Sequence, residues 1–327
     1  MHVLVTGAAG FIGYHLSETL LKQGARVTGI DNLNSYYEVT LKEARLRNLQ
    51  AQPAFDFVKL DISDREPMLA LASKLKGVTH VANLAAQAGV RHSLTDPYTY
   101  VMSNVMGQVV MLELARLLPA LEHFVYASSS SVYGANTKLP FSIDDETEQP
   151  NSLYAATKKS DELIGRTYAH LYGVKATGLR FFTVYGPWGR PDMAAFLFTK
   201  AILAGEPIRV FNNGEMWRDF TYVDDIVAGL IAALKHPPKA QPPHAVYNLG
   251  NHRSEKLTDF IATLEQALGT KAQMTFEPMQ PGDVASTFAD IDASRRDLGF
   301  EPKTPISEGI PRFVDWYKNY YRVWPKN

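Results

Sequence analysis

Short apolar runs that stop at a glycine or an acid recur along the first half of the chain, with amphipathic stretches between them. His2 to Thr6 reads as a buried strand that runs into glycines, and Tyr14 to Gln23 carries apolar residues at helical spacing. Arg26 to Ile30 forms a second strand closed by Asp31, and Phe55 to Leu60 a third closed by Asp61. Val78 to Leu84, His123 to Ser128 and Lys175 to Arg180 repeat the pattern. Strands alternating with helices predict an α/β fold, a doubly wound parallel sheet of the Rossmann kind. After about Phe181, Pro, Gly and aromatic residues become frequent and the alternation weakens. This predicts a sheet domain over residues 1–180 and a smaller substrate-binding lobe over 181–327, with Phe220 to Leu234 and Ala245 to Leu249 returning to the first sheet.

Two helices carry more apolar residues than one buried face needs. One runs from Pro97 to Leu118, with Tyr98, Val101, Val105, Val109, Leu112 and Ala115 or Arg116 on the surplus face; the other runs from Ser152 to Tyr172. Burying those faces on a second copy predicts a homodimer.

Composition narrows the classes. The 327 residues suffice for one large domain or two unequal ones. A net charge of -1 leaves no positive excess for nucleic acid or a membrane surface, so any anionic ligand must be held by placed Arg and Lys residues. The absence of Cys excludes disulfides, thiolate metal sites and a Cys nucleophile, and fits the cytoplasm. The nine His residues show no paired ligand spacing, so no metal is expected. No basic leader precedes the first strand, and no apolar stretch reaches the roughly 20 residues that span a bilayer.

The first strand leads into Thr6-Gly7-Ala8-Ala9-Gly10-Phe11-Ile12-Gly13, a G-x-x-G-x-x-G variant of the dinucleotide fingerprint. Glycines there let backbone turn tightly against a pyrophosphate seated on a helix N-terminus. Asp31, followed by Asn32, would accept from the adenosine ribose and repel a 2′-phosphate, which selects NAD over NADP. Asp61, before Ile62, has two readings: partner of the adenine amino group, or helix N-cap. Leu84, Ala85 and Ala86 are small enough to let the dinucleotide pass close to backbone.

Tyr154 and Lys158 stand four apart, one turn along one helix face. An ammonium beside a phenol favours the phenolate, a base for a hydroxyl proton. Ser128 to Ser131 end the fifth strand, where ligands of open α/β sheets bind, and one serine there could bridge the reacting hydroxyl and Tyr154.

Tyr154, Lys158, Ser129 and the Gly7/Gly10/Gly13 loop resemble the extended short-chain dehydrogenase/reductase family. Within it the chain is similar to the nucleotide-sugar epimerases, closest to UDP-glucuronate 4-epimerases. That closer likeness is carried by residues 29–34, Ala85 to Arg91, Ser152 to Lys159, Phe181 to Met193 and Met279 to Val284. The resemblance implies tightly bound NAD, a UDP-sugar partner and inversion at carbon 4 through a 4-keto sugar. It makes Ser129 the serine on the reacting hydroxyl, with Ser130 and Ser131 toward the substrate. Asn104 and Phe182 match positions beside the nicotinamide, and Arg218 an arginine on the diphosphate. Gln280, ahead of Gly282-Asp283, stands where galactose-type relatives carry a second arginine, and Thr183 where they carry Asn. The Asp-Glu pair of related dehydratases and the Glu of related decarboxylases are absent, with Ser130 and Ser131 in their place; Asp144-Asp145-Glu146 reads as a solvated loop. Two arginines are candidates for a sugar carboxylate, Arg190 and Arg91, and Arg190 has the alternative of holding its loop through backbone carbonyls. Competing readings are a UDP-glucose 4-epimerase and a non-catalytic dinucleotide sensor.

Overall fold

The computed structural model describes residues 1–280 and 282–323. Six strands alternate with helices: β1 (His2–Thr6), β2 (Arg26–Asp31), β3 (Phe55–Lys59), β4 (His80–Asn83), β5 (His123–Ser129) and β6 (Ala176–Phe181). The strand His244–Leu249 returns from the C-terminal half and pairs with β6 along its whole length. The seven form one parallel sheet in the order His244–Leu249, β6, β5, β4, β1, β2, β3. The order reverses between β1 and β4, and a crevice opens there beyond the strand ends.

Apolar residues alternate to both faces of the sheet. Val3 and Val5 join one core and Leu4 the other; Val125 faces the first, Phe124 and Tyr126 the second. Helix α1 (Phe11–Lys22) and the helix Val223–Lys235 pack together over the first face. The helices Gly107–Arg116 and Leu153–Tyr172 cover the second. The rest of the C-terminal half builds small two-stranded pieces, among them Thr183–Tyr185 with Phe220–Tyr222 and Ile208–Val210 with Met274–Phe276. These stand against the carboxyl ends of the main strands and close a cleft.

Three sequence expectations change. The helix that begins at Pro97 is interrupted by a π-helical stretch over Val101–Met106, which the periodicity does not reveal. Of its surplus apolar face, Leu112 and Ala115 are buried within the subunit. The outward residues are Tyr98, 81% exposed, with Val101, Met102 and Met106. Asp145 is not solvated: it accepts from Ser142 N–H, Lys138 and Asn136, and so ties its loop together, while Asp144 and Glu146 are exposed. No helix among the described residues is long and apolar enough to cross a membrane.

Candidate active site

One cavity of about 760 Å³ follows the crevice from Asp61 past the fifth-strand serines to Phe211 and Asp283. Its floor is the glycine loop between β1 and α1. Gly7 has φ 68, which glycine adopts without strain. A Cβ at Gly13 would lie 2.1 Å from the Gly7 carbonyl, and one at Gly7 would lie 2.9 Å from Ala85 N. Side chains at these positions would collide with backbone and open the turn, so the glycines keep the loop tight at the α1 N-terminus, where a diphosphate fits. Asp31 accepts from Ala9 N–H at 3.0 Å and Leu33 N–H at 2.8 Å, which fixes a carboxylate at the cleft wall beside the loop.

Asp61 lines the cleft and does not cap a helix; Asp64 holds that position. Burial works to raise its carboxyl, but donors from Ser63 and Asn32 outweigh it and hold the group below its ordinary range. Asn32 is thus committed to Asp61 while it lines the adenosine end. Thr6 Oγ1 receives Leu84 N–H and Ala85 N–H, holding the strand-end backbone against the cleft.

The helix Leu153–Tyr172 begins under a Ser152 cap, whose oxygen accepts from Ala155 N–H at 3.1 Å. One turn in, Tyr154 is half-buried at the cleft with its ring edge-on to Tyr100 at 6.1 Å. Lys158 is buried; its Nζ donates to Ala127 O at 2.8 Å and to Asp161 at 3.0 Å. Two of its three protons are therefore spent behind the site, and one is left for the cleft. Burial pushes the Asp161 carboxyl up to about 6 against the pull of Lys158. All four serines border the cleft; the Ser128 hydroxyl donates inward to Glu162, and Ser131 donates to Ser129 Oγ at 2.9 Å. Phe182 lines the same wall.

Asn104 stands elsewhere than expected. It is buried behind the wall: its carbonyl accepts from Gln87 N–H, and its amide donates to Gln87 O and to Thr157 on the catalytic helix. The π-helical stretch carries it, and such insertions are frequent at functional sites. Asn104 therefore braces the loop after β4 against the helix that carries Tyr154 and is not among the described residues lining the cavity.

The opposite wall holds the arginines. Arg190 forms a two-bond pair with Asp192, at 3.1 and 2.6 Å, and lies within electrostatic range of Tyr154. The pair replaces the backbone-carbonyl role considered for Arg190. Those carbonyls are held instead by Arg45, fully buried, which donates to Ala9 O, Trp188 O and Gly189 O. Arg91, the other carboxylate candidate, is committed to Asp283 at 2.8 Å and lies over Phe211, in the neighbourhood of Arg218. Thr183 lines the cleft; Gln280 is not among the described residues that line it, and its carbonyl accepts from Asp283 N–H.

Residues 3–250 match the model of the NAD dependent epimerase/dehydratase family. The chain belongs to that family. Over 332 residues it is 48% identical to UDP-glucuronate 4-epimerase 4 of Arabidopsis thaliana, spanning 98% of this chain and 76% of that one. It is similar to a Bacillus cereus UDP-glucuronic acid 4-epimerase solved in complex with UDP-glucuronic acid and NAD. That match has a TM-score of 0.91 at 36% identity and covers 98% of this chain and 100% of that one. A Thermotoga maritima UDP-glucose 4-epimerase solved with UDP-glucose matches at TM-score 0.88 and 31% identity over 98% and 100% of the two chains.

Sequence reasoning passed over several residues of this epimerase/dehydratase cleft. Lys42 lines it and donates to Asn34; burial brings its ammonium down to about 8, with Asp31 opposing. Tyr36 and His92 line the cleft with rings 5.0 Å apart, and the buried Tyr100 packs behind them, 6.1 Å from His92 and from Tyr154. Phe211 and Arg209 line the far end. No spacing rule marks these residues, because they converge from segments far apart in the chain.

Proposed function

We propose that the chain interconverts UDP-glucuronate and UDP-galacturonate by inversion at carbon 4. The observation that carries this reading is Arg190, a cation on the cleft wall within electrostatic range of Tyr154, in a chain of the epimerase/dehydratase family. The similarity to UDP-glucuronate 4-epimerases supports it.

NAD, when bound, supplies the acceptor that takes hydride from carbon 4 and gives it back. The α1 N-terminus and the Gly7, Gly10 and Gly13 loop would hold its diphosphate, Asp31 its ribose, Asp61 and Ile62 its adenine, and Leu84 to Ala86 its path along the sheet. Phe11 and Ile12 pack beside that loop. Tyr154 accepts the 4-hydroxyl proton and later returns it, Ser129 bridges the two oxygens, and Lys158 turns its remaining proton to the cleft. Arg218 and Asp283 serve the diphosphate and uridine end, Thr183 and Arg190 carbon 6, with Ser130 and Ser131 beside the sugar. The flat 4-keto sugar turns over before hydride returns to its other face. The first residues of the chain, up to about 180, hold the cofactor and the remainder holds the substrate, with the strand His244–Leu249 shared.

The same reading includes a homodimer. Met102 and Leu163, 48% and 56% exposed, lie with Tyr98 on adjacent helices and would pack on their copies. Light scattering at micromolar concentration checks this; a monomer would contradict it.

The test of the activity is direct. Purified protein is given UDP-glucuronate and UDP-glucose in parallel and the products are resolved by chromatography. UDP-galacturonate should form readily, and Tyr154→Phe should lose about 10²-fold or more of the rate with NAD still bound. Conversion of UDP-glucose alone would overturn the reading.

A further inference from the structure

Arg190 is held by one edge of its guanidinium. Nε and Nη2 donate to the two oxygens of Asp192, while among the described residues Nη1 donates to none, and the residue lines the cleft. Asp192 is fixed in turn. The Tyr36 hydroxyl donates to its Oδ2 at 3.2 Å, from the segment that follows the Asp31 strand. Tyr36 has little freedom: it packs on His92, and its hydroxyl occupies space that Gly89 leaves open, 2.8 Å from where a Cβ there would stand. The loop carrying Arg190 is itself tied to the glycine loop by Arg45, which binds Ala9 O, Trp188 O and Gly189 O.

We infer that Asp192 is the positioning residue for acid-sugar selectivity: it clamps the Nε–Nη2 edge of Arg190 so that the Nη1 edge faces the carbon-6 carboxylate, and Tyr36 locks the clamp. This rests on the reading of the substrate as an acid sugar. The physical reason lies in the geometry of the guanidinium. Its donors form a rigid planar fork, so fixing one edge fixes the direction of the other. A long side chain left free would lose rotamer freedom on binding and give back part of the attraction. The clamp has an electrical consequence as well. Arg190 and Asp192 together are neutral, so preference for a uronate over a neutral sugar comes from aimed donors and not from net charge.

That last point separates two accounts of one variant. Asp192→Asn removes an anion beside the substrate carboxylate. If charge alone set selectivity, UDP-glucuronate would bind more tightly. If orientation sets it, binding weakens. Dissociation constants of UDP-glucuronate and UDP-glucose for the NAD-loaded protein, measured by titration calorimetry, read the difference. UDP-glucuronate affinity should fall about tenfold, as expected for loss of one well-aimed charge-assisted contact, with a smaller fall for UDP-glucose. Tyr36→Phe should move the ratio the same way by a smaller factor, and it serves if Asp192→Asn fails to melt as a folded protein. A wild-type protein that prefers UDP-glucuronate, with that preference undiminished in both variants, would overturn the clamp. A wild-type protein without that preference would overturn the acid-sugar reading instead.

Discussion

The two ends of the cleft are built by different means. The cofactor end is backbone: a glycine loop, strand-end amides and one carboxylate fixed by two N–H groups of its neighbours. The substrate end is side chain: Arg190 on Asp192 on Tyr36, and Arg91 on Asp283 beside Arg218. Backbone geometry is specified by a few adjacent residues and tolerates almost no added volume. A network of long side chains is specified by residues far apart in sequence and tolerates change, at a cost in selectivity. The first end suits a ligand that stays from one turnover to the next, and the second a ligand that must be chosen and released.

The comparison breaks most sharply at Gly13. Gly13→Ala puts a methyl where the Gly7 carbonyl lies, and the loop must move. Overpacking of this kind costs about 1–3 kcal/mol, so NAD affinity should fall by about 5–150-fold whichever sugar is bound. Fluorescence titration of NAD into stripped protein checks it; unchanged affinity would mean that the loop does not hold the diphosphate.

Arg190→Ala acts on the other end. Losing a charge-assisted pair costs roughly 1.5–3 kcal/mol, so kcat/KM for UDP-glucuronate should drop about 10–100-fold with NAD retained and UDP-glucose binding changed much less. Equal losses for both sugars would assign Arg190 to loop structure.

The smallest effect lies in the shared sheet. His123 is fully buried on β5, between Leu234 O and Thr177 Oγ1, and burial holds its imidazole down to about 4 from an ordinary 6.5. The unfolded chain therefore binds a proton that the fold refuses between those values. Stability should fall as pH drops through that window, by about 2 kcal/mol near pH 5 from this residue. His123→Gln should flatten the dependence of Tm on pH, with no change in the ratio of the two sugars.

The same contrast explains what could be read from sequence. The glycine loop, Asp31 and the strand ends are local, and the observed strands lie within about two residues of their expected limits. Tyr154 and Lys158 share a helix, so their spacing sufficed. The substrate end was legible only in part, because its partners come from five segments. Arg190 was noticed, but Asp192 two residues on was not, since a neighbouring acid is ordinarily a solvated charge. Lys42 and Arg45 sit on a helix of weak amphipathicity and act across to other loops. Asn104 enters only through the resemblance, which matches a position and does not show its layer; its bonds to Gln87 and Thr157 place it one layer behind the wall. Leu112 and Ala115 were given to a partner chain when the second core of the subunit already takes them.

The account stands on one claim, that hydride leaves carbon 4 and returns to the same carbon without exchanging with water. The most direct measurement is turnover of UDP-glucuronate by the NAD-loaded protein in deuterium oxide, with the product examined by proton NMR. UDP-galacturonate carrying hydrogen at carbon 4, with no deuterium from solvent, is the predicted result. Deuterium at carbon 4 would contradict the account, because Tyr154 would then be serving a carbon acid and not a hydroxyl.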